Sequence, residues 1–262
     1  KLTKNNLKLA TAESCTGGYE YTSPEAGMAD YRLYAGKPVV IKPKSTNFGL
    51  GITILKHNYD ETDFKAALQI AFEHDNTVLI EKFIPGREFR IFIINDEVVG
   101  ILHRVPANVT GDGVLNIGQL IDMKNEDPLR GKGYRTPLEK IRKGREEEMF
   151  LKQQGMDFNT VPKEREVVYL RENSNISTGG DSIDFTDDID DSYKAIAVEA
   201  AKALNVKITG LDMMIQDIHA PATPDNYAII EMNFNPAIHI HCYPFKGKNR
   251  HLNHKMIKAL GF

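Results

Sequence analysis

The chain has 262 residues, 41% of them hydrophobic and 26% charged, with 20 Gly, 12 Pro and a formal net charge of −3. These values exclude a disordered or collagen-like chain and allow a sizeable core, in one elaborate unit or in about two domains. No apolar run approaches the roughly 18 residues of a membrane span, and near-neutral charge gives no broad reason to bind a nucleic-acid backbone, so neither membrane nor nucleic acid is an expected partner.

Val39, Val40 and Ile41, and then 52–55, are short β-branched runs flanking 42–51, a loop of Lys, Pro, Ser, Asn and Gly. That pattern predicts strand, loop, strand. Behind Asp60, a plausible cap, Phe64, Ala67, Leu68, Ala71 and Phe72 recur at helical spacing. Strands follow at 78–80, 89–94 and 98–102, the last two joined through a hairpin at Asn95 and Asp96. From 106 to 166 the character changes to charged, Gly- and Pro-containing segments with a helix at 146–154. This stretch is expected to be an insertion with little core of its own, a lid or side subdomain. A strand at 167–170 precedes a helix in which Tyr193, Ile196, Ala197, Ala200 and Leu204 face one way behind the start signal Asp190, Asp191, Ser192. Strands at 211–218 and 228–232, separated by a Pro-containing turn, close the set.

Four clusters carry chemistry. The loop 42–51 lies between two strands, so it is neither a Walker-type nor a Rossmann phosphate loop. Its glycines and strand-end lysine, Lys42, still suit a polyphosphate, although an ordinary hairpin with surface lysines has the same composition. In the second, Glu81 can accept hydrogen bonds from ribose hydroxyls while backbone groups of Lys82, Phe83 and Ile84 read an adenine edge; a solvated charged hairpin is the competing reading. The third is Asp212 with Glu231 and Asn233. The last two are two apart on a strand and so share a face, and if the strands pair antiparallel Asp212 faces them, an oxygen set suited to Mg²⁺. Arg104 and Arg171 form the fourth, with forks that suit a phosphoryl group or carboxylate but also ordinary surface ion pairs. His239, His241 and Cys242 supply only part of a zinc shell, and no nucleophile elbow is present. Cys15 and Cys242 are too few and too far apart for a disulfide scaffold, which fits a reducing, cytoplasmic compartment.

Taken in order, Lys42 and its Gly-rich loop, Glu81 to Glu88 (EKFIPGRE), Leu211-Asp212 and Glu231 to Pro236 (EMNFNP) resemble an ATP-grasp ligase domain. The stretches beginning at Arg104 (RVPANVTGDG) and Arg171 (RENSNISTGGDSIDFT) are similar to the C-terminal glutathione synthetase module of the bifunctional glutamate-cysteine ligase/glutathione synthetase family. Cyanophycin synthetase shares part of this pattern and supplies the alternative of a peptide-polymer ligase; a non-catalytic ATP-binding module is another. A departure lies at 9–18 (LATAESCTGG), which resembles a short signature of the nicotinamide-nucleotide amidase family without the rest of that fold.

The resemblance implies an α+β ATP-grasp fold in which two sheet-containing lobes clasp ATP. It implies domains at 1–36 (an N-terminal segment of uncertain role), 37–104 (small lobe) and 105–262 (large lobe with the insertion 106–166). The implied reaction joins γ-glutamylcysteine to glycine at the expense of ATP, with Mg²⁺ or alternatively Mn²⁺. On that pattern Lys42, Ser45, Thr46, Asn47, Gly49 and Gly51 hold phosphates, and Glu81, Lys82, Phe83, Ile84 and Glu88 hold the nucleoside. Asp212, Glu231 and Asn233 take the metal, and Arg171 with Arg104 stabilises the transferring group. A chain starting at Lys1 reads as part of a longer polypeptide, whose neighbouring domain is expected to be a γ-glutamylcysteine ligase.

Overall fold

The computed structural model describes residues 18–45, 51–56, 58–171 and 174–262. In chain order the elements begin β1 (Tyr19–Tyr21), α1 (Pro24–Ala29), α2 (Tyr31–Tyr34), β2 (Val39–Pro43), β3 (Thr53–Leu55) and α3 (Glu61–Phe72). They continue β4 (Val78–Lys82), β5 (Arg87–Ile94), β6 (Glu97–Val105), β7 (Asn108–Thr110), α4 (Ile117–Lys124), β8 (Arg130–Gly131), β9 (Leu138–Glu139) and α5 (Arg145–Gln153). The remainder is β10 (Val167–Tyr169), β11 (Asp181–Asp184), α6 (Asp191–Ala203), β12 (Ile208–Ile215), β13 (Tyr227–Asn233), α7 (His239–Cys242) and α8 (Leu252–Ala259). None of these helices is long and apolar enough to cross a membrane.

Two compact units divide the chain, Lys1–Arg87 with Asp190–Phe234, and Glu88–Ile189 with Asn235–Phe262. Chain connectivity is broken because the β12–β13 hairpin, late in sequence, groups with the N-terminal residues, while β5 and β6 group with the segments C-terminal to them.

In the first unit four strands pair antiparallel in the order β1-β4-β2-β3, with Ile41 opposite Ile80. Alternation along β2 turns Val39 and Ile41 inward, where they meet Phe64, Ala67, Leu68 and Ala71 of α3. The helix starts as expected: the Asp60 carboxylate accepts from the N–H groups of Thr62 and Asp63, and the Asp63 carboxylate accepts in return from the Asp60 N–H. Tyr21 and Tyr34 bury their rings in this core and share a 2.8 Å hydroxyl bond, which with Asp30 keeps both polar tips satisfied. β12 and β13 form a second antiparallel ladder, with α6 capped by the Asp190 side chain. β12 runs Ile208–Ile215, three residues earlier than expected, because the ladder ends where the Gln216 N–H closes onto Asn226 O and the polar turn begins.

In the second unit β11, β6 and β5 pair antiparallel, and β7 pairs with β10. The hairpin between β5 and β6 turns at Asn95 and Asp96, both at positive φ (46° and 66°), as a two-residue hairpin requires. The expectation of an insertion with little core is corrected here. Ala107, Val109, Ile117, Leu120, Ile121, Ile141, Leu151, Val168 and Leu170 form a buried cluster of their own. These residues come singly or in pairs between polar loops, so no long apolar run announces them.

Candidate active site

In the first unit, Lys42 on β2 and Glu81 on β4 meet through sheet register. Val40 lies opposite Glu81 and Lys42 opposite Leu79, so the two charged side chains are diagonal neighbours on one face. Lys42 Nζ sits 2.8 Å from Glu81 Oε2. Glu81 is only 4% exposed, and its Oε1 has no hydrogen-bond partner among the described residues. A buried carboxylate oxygen without a donor is costly, so this atom is suited to receive a hydroxyl of a bound molecule.

Ser45 follows, its N–H donating to Asp75 Oδ2 at 2.7 Å. Backbone N–H groups, that of Thr77 foremost, hold the Asp75 carboxyl below its ordinary value. Gly51 closes the loop at φ +78°, where a Cβ would lie 2.6 Å from His74 and 2.7 Å from Pro43, so only glycine fits. Thr46, Asn47 and Gly49 lie outside the described residues, as does most of the 9–18 stretch.

At the end of β4, the Phe83 N–H is already committed, donating to Pro38 O at 3.0 Å. It is therefore not a donor for an adenine edge in this arrangement, which leaves backbone groups of Lys82 and Ile84 for that task. Lys56 Nζ stands 5.7 Å over the Phe83 ring. Lys82 itself points outward, 3.5 Å from Asp225 in an exposed pair.

Asp212 and Glu231 are direct cross-strand partners, and Gly210 lies opposite Asn233. The register shift after Asp212 leaves this pairing intact, so Asp212, Glu231 and Asn233 project from one face, as their spacing suggested. Asp212 is 1% exposed whereas Glu231 is exposed. Asn233 Nδ2 donates to Glu231 Oε1 at 2.9 Å, a bond that uses the amide nitrogen and not the side-chain oxygen, which is an acceptor. Two carboxylates and an amide oxygen fit the preference of a hard divalent cation for oxygen ligands. Among the described residues, no three His, Cys, Asp or Glu side chains gather in a group that could hold a metal, and this set supplies two carboxylates, Asp212 and Glu231, with an amide as its third member.

The second unit holds the remaining candidates. Glu88 forms an ion pair with Arg104, accepts from Ser174 Oγ at 2.6 Å, and through its backbone O accepts from His103 Nδ1–H at 3.0 Å. Arg171 is held by carboxylates too. Its Nε and a terminal nitrogen lie 2.6 Å from Glu147 Oε1, and it pairs with Glu146. Glu147 is 1% exposed, and its other oxygen accepts from the Gly144 N–H at 2.9 Å, capping α5.

A family model described as D-ala D-ala ligase C-terminus matches residues 19–119. The chain is 62% identical over 245 residues to the glutathione biosynthesis bifunctional protein GshAB of Desulfotalea psychrophila, covering 94% of this chain and 32% of that protein. The protein of the same name from Clostridium perfringens is 53% identical over 259 residues, 99% of this chain and 32% of the relative. A crystal structure described as a bifunctional glutathione synthetase from Pasteurella multocida matches with TM-score 0.74 at 47% identity, over 94% of this chain and 34% of that one. This chain is a homologue of the bifunctional glutathione biosynthesis proteins. It spans about a third of their length, and its α+β architecture is the ATP-grasp fold.

In this homologue, four contacts around the candidate residues are nearly silent in the sequence. Glu147 and Ser174 are a polar residue in a charged helix and one in a polar loop, and nothing local marks either as a partner of Arg171 or Glu88. Asp75 and Pro38 reach their partners through sheet register. Only Glu147 carries a cue, since it stands three residues after Gly144 at a helix start, where a glutamate closes a cap.

Proposed function

We propose that the chain is an ATP-dependent carboxylate-amine ligase that joins γ-glutamylcysteine to glycine and releases glutathione, ADP and phosphate. The observation carrying this reading is 62% identity, across 94% of the chain, to a protein named for glutathione biosynthesis. The paired carboxylates Asp212 and Glu231 support it, since ligases of this kind handle ATP with a divalent cation.

A carboxylate at neutral pH is a poor electrophile, so the γ-phosphoryl group first passes to a substrate carboxylate oxygen, giving an acyl phosphate and ADP. The glycine amine then attacks the acyl carbon, the C–O bond to phosphate breaks, and the amine gives up a proton. Positioning and charge neutralisation supply most of such catalysis. Lys42 binds the phosphates as a point charge, and Ser45, Thr46, Asn47, Gly49 and Gly51 cover them. Glu81, with an oxygen to spare, accepts a ribose hydroxyl, while backbone groups of Lys82 and Ile84 take the adenine edge and Phe83 contributes its ring. Arg104 and Arg171 offer cationic forks to charge developing on the transferring group, oriented by Glu88 and Glu147. Asp212, Glu231 and Asn233 would hold Mg²⁺, or Mn²⁺, which when bound neutralises phosphate charge.

The remaining two thirds of the relatives' length leaves room for a γ-glutamylcysteine-forming domain in the same polypeptide. A thiol substrate, and only two cysteines in the sequence, suit a reducing compartment such as the cytoplasm. The test is phosphate release from ATP, Mg²⁺ and γ-glutamylcysteine, with and without glycine, while mass spectrometry looks for glutathione. Glycine-dependent release with a glutathione peak is expected. ATP binding without release would favour a non-catalytic module, and release that needs a long acidic peptide would favour a polymer ligase.

A further inference from the structure

Residues 130–145 carry seven Lys and Arg side chains against one carboxylate, Glu139, in a chain whose overall charge is negative. Most of the surrounding polar groups are locked to one another. Arg130 is buried and donates to Glu139 O and Gly179 O while pairing with Asp181. The Asn125 side chain exchanges two 2.8 Å hydrogen bonds with the backbone of Ile141. Gly133 and Tyr134, at φ 70° and 58°, both turn their N–H groups onto the Glu139 carboxylate, at 3.2 and 2.5 Å. The one local carboxylate is thereby satisfied by backbone, and Lys143 is paired with Asp122 at 2.7 Å.

That leaves Lys132, Lys140 and Arg142 lining a single cavity of about 650 Å³, with no ion-pair partner for any of them among the described residues. Glu126 is the one further acid in the lining. Three like charges brought to one concavity repel unless a counter-charge offsets them. The volume falls within the range of small-molecule sites, and a frame fixed by side-chain-to-backbone bonds lowers the entropy lost on binding.

We infer that this cavity binds a small polyvalent anion, one carrying two or more carboxylate or phosphate groups. Arg142 supplies a planar fork that can take one such group through two parallel hydrogen bonds, and Lys132 and Lys140 supply point charges for another. The site is built wholly from the second unit and uses none of the residues given roles in ligation, so it stands whether or not the ligase reading holds.

The test is calorimetric titration of the full polypeptide with citrate and, separately, with tripolyphosphate in the absence of Mg²⁺, with hydrogen exchange to locate binding. At least one probe is expected to bind and to protect amides within 130–143. Lys132→Gln/Arg142→Gln should weaken that binding by about tenfold or more, whereas Lys65→Gln/Lys207→Gln, which removes two exposed cations elsewhere, should change it by less than about twofold. Binding of citrate alone identifies a polycarboxylate ligand, and of tripolyphosphate alone a polyphosphate. No binding of either probe, protection confined to other segments, or equal affinity in the Lys132→Gln/Arg142→Gln protein would overturn the proposal.

Discussion

Glu147 divides its two carboxylate oxygens between Arg171, at 2.6 Å, and the Gly144 N–H that begins α5, at 2.9 Å. One buried side chain thus fixes a helix start and a cation 24 residues away. Replacing it by Ala leaves a largely buried guanidinium short of a partner and opens the cap, at a cost of about 3 kcal/mol. Glu147→Gln keeps an acceptor for the Gly144 N–H and should cost less. If Arg171 acts on the transferring phosphoryl group as proposed, Glu147→Gln also lowers kcat with little change in KM for ATP. Urea unfolding together with steady-state kinetics checks both; equal kcat in wild type and Glu147→Gln would remove the positioning role.

Gly86 sits at φ +145°, and a Cβ there would lie 2.4 Å from Ile215 O and 2.6 Å from its carbonyl carbon. Backbone on one side and an unfavourable dihedral on the other leave nowhere to relax. Gly86→Ala is expected to destabilise by about 3 kcal/mol or more. Gly36 provides the control, with φ +72° and no atom within 4 Å of the added carbon, so Gly36→Ala should cost only about 1 kcal/mol of dihedral strain. Similar unfolding midpoints for the two variants would show that the contact with Ile215 gives way easily.

Local signals explain which parts of the fold are legible in the sequence. Asp60 and Asp190 each precede an amphipathic run and each caps a helix, and the Asn95-Asp96 hairpin has the dihedrals its residues favour. Period two on β13 places Glu231 and Asn233 on one face, and the antiparallel ladder brings Asp212 opposite Glu231. α4 escapes the periodicity because Ile117, Leu120 and Ile121 span little more than one turn, although Asn116 and Gln119 form a capping box visible in sequence. The unit boundaries and the Lys42–Glu81 and Arg171–Glu147 pairings depend on register and packing between distant segments, which no local pattern encodes.

Lys42 is the sole described hydrogen-bond or ion-pair partner of the buried Glu81 carboxylate, whose other oxygen has none. Lys42→Met therefore strands a buried charge and should lower stability by about 2–4 kcal/mol while weakening ATP binding. Adding Glu81→Gln removes the stranded charge, so the double variant is expected to regain stability but not ATP affinity. Unfolding and calorimetry on the single and double variants separate the two effects. Recovery of ATP binding in the double variant would mean that Lys42 serves only to neutralise Glu81.

Glu231→Gln keeps the size of the side chain and an acceptor for Asn233 Nδ2 but removes one of two facing carboxylates. Mn²⁺ affinity, measured by calorimetry or electron paramagnetic resonance, is expected to fall about tenfold or more, with no more than about 1 kcal/mol change in stability because the side chain is exposed. Unaltered Mn²⁺ binding would remove Glu231 from the metal set.

Arg250 joins two acids of the second unit. Its Nε lies 2.9 Å from both oxygens of Asp184, and a terminal nitrogen lies 2.9 Å from Asp187 Oδ1. Burial pushes the Asp184 carboxyl up, but hydrogen bonds from Arg250 and Thr186 outweigh it and hold the group below its ordinary value. Asp187 is likewise held low, by hydrogen bonds from Arg250 and then Lys248. With folded values below unfolded ones, the unfolded chain binds more protons over the interval between them. The stabilisation is therefore complete above the ordinary carboxyl value of about 4 and is lost as pH falls through the lowered folded values. Arg250→Gln should cost about 3 kcal/mol at neutral pH, nearly all of it through buried Asp184. The gap between wild type and variant should narrow steadily below about pH 4, as protonation of the acids removes what Arg250 pairs with. Urea midpoints at pH 7 and at about pH 3 measure it, and a gap of the same size at both would show that Arg250 acts through packing and not through its charge.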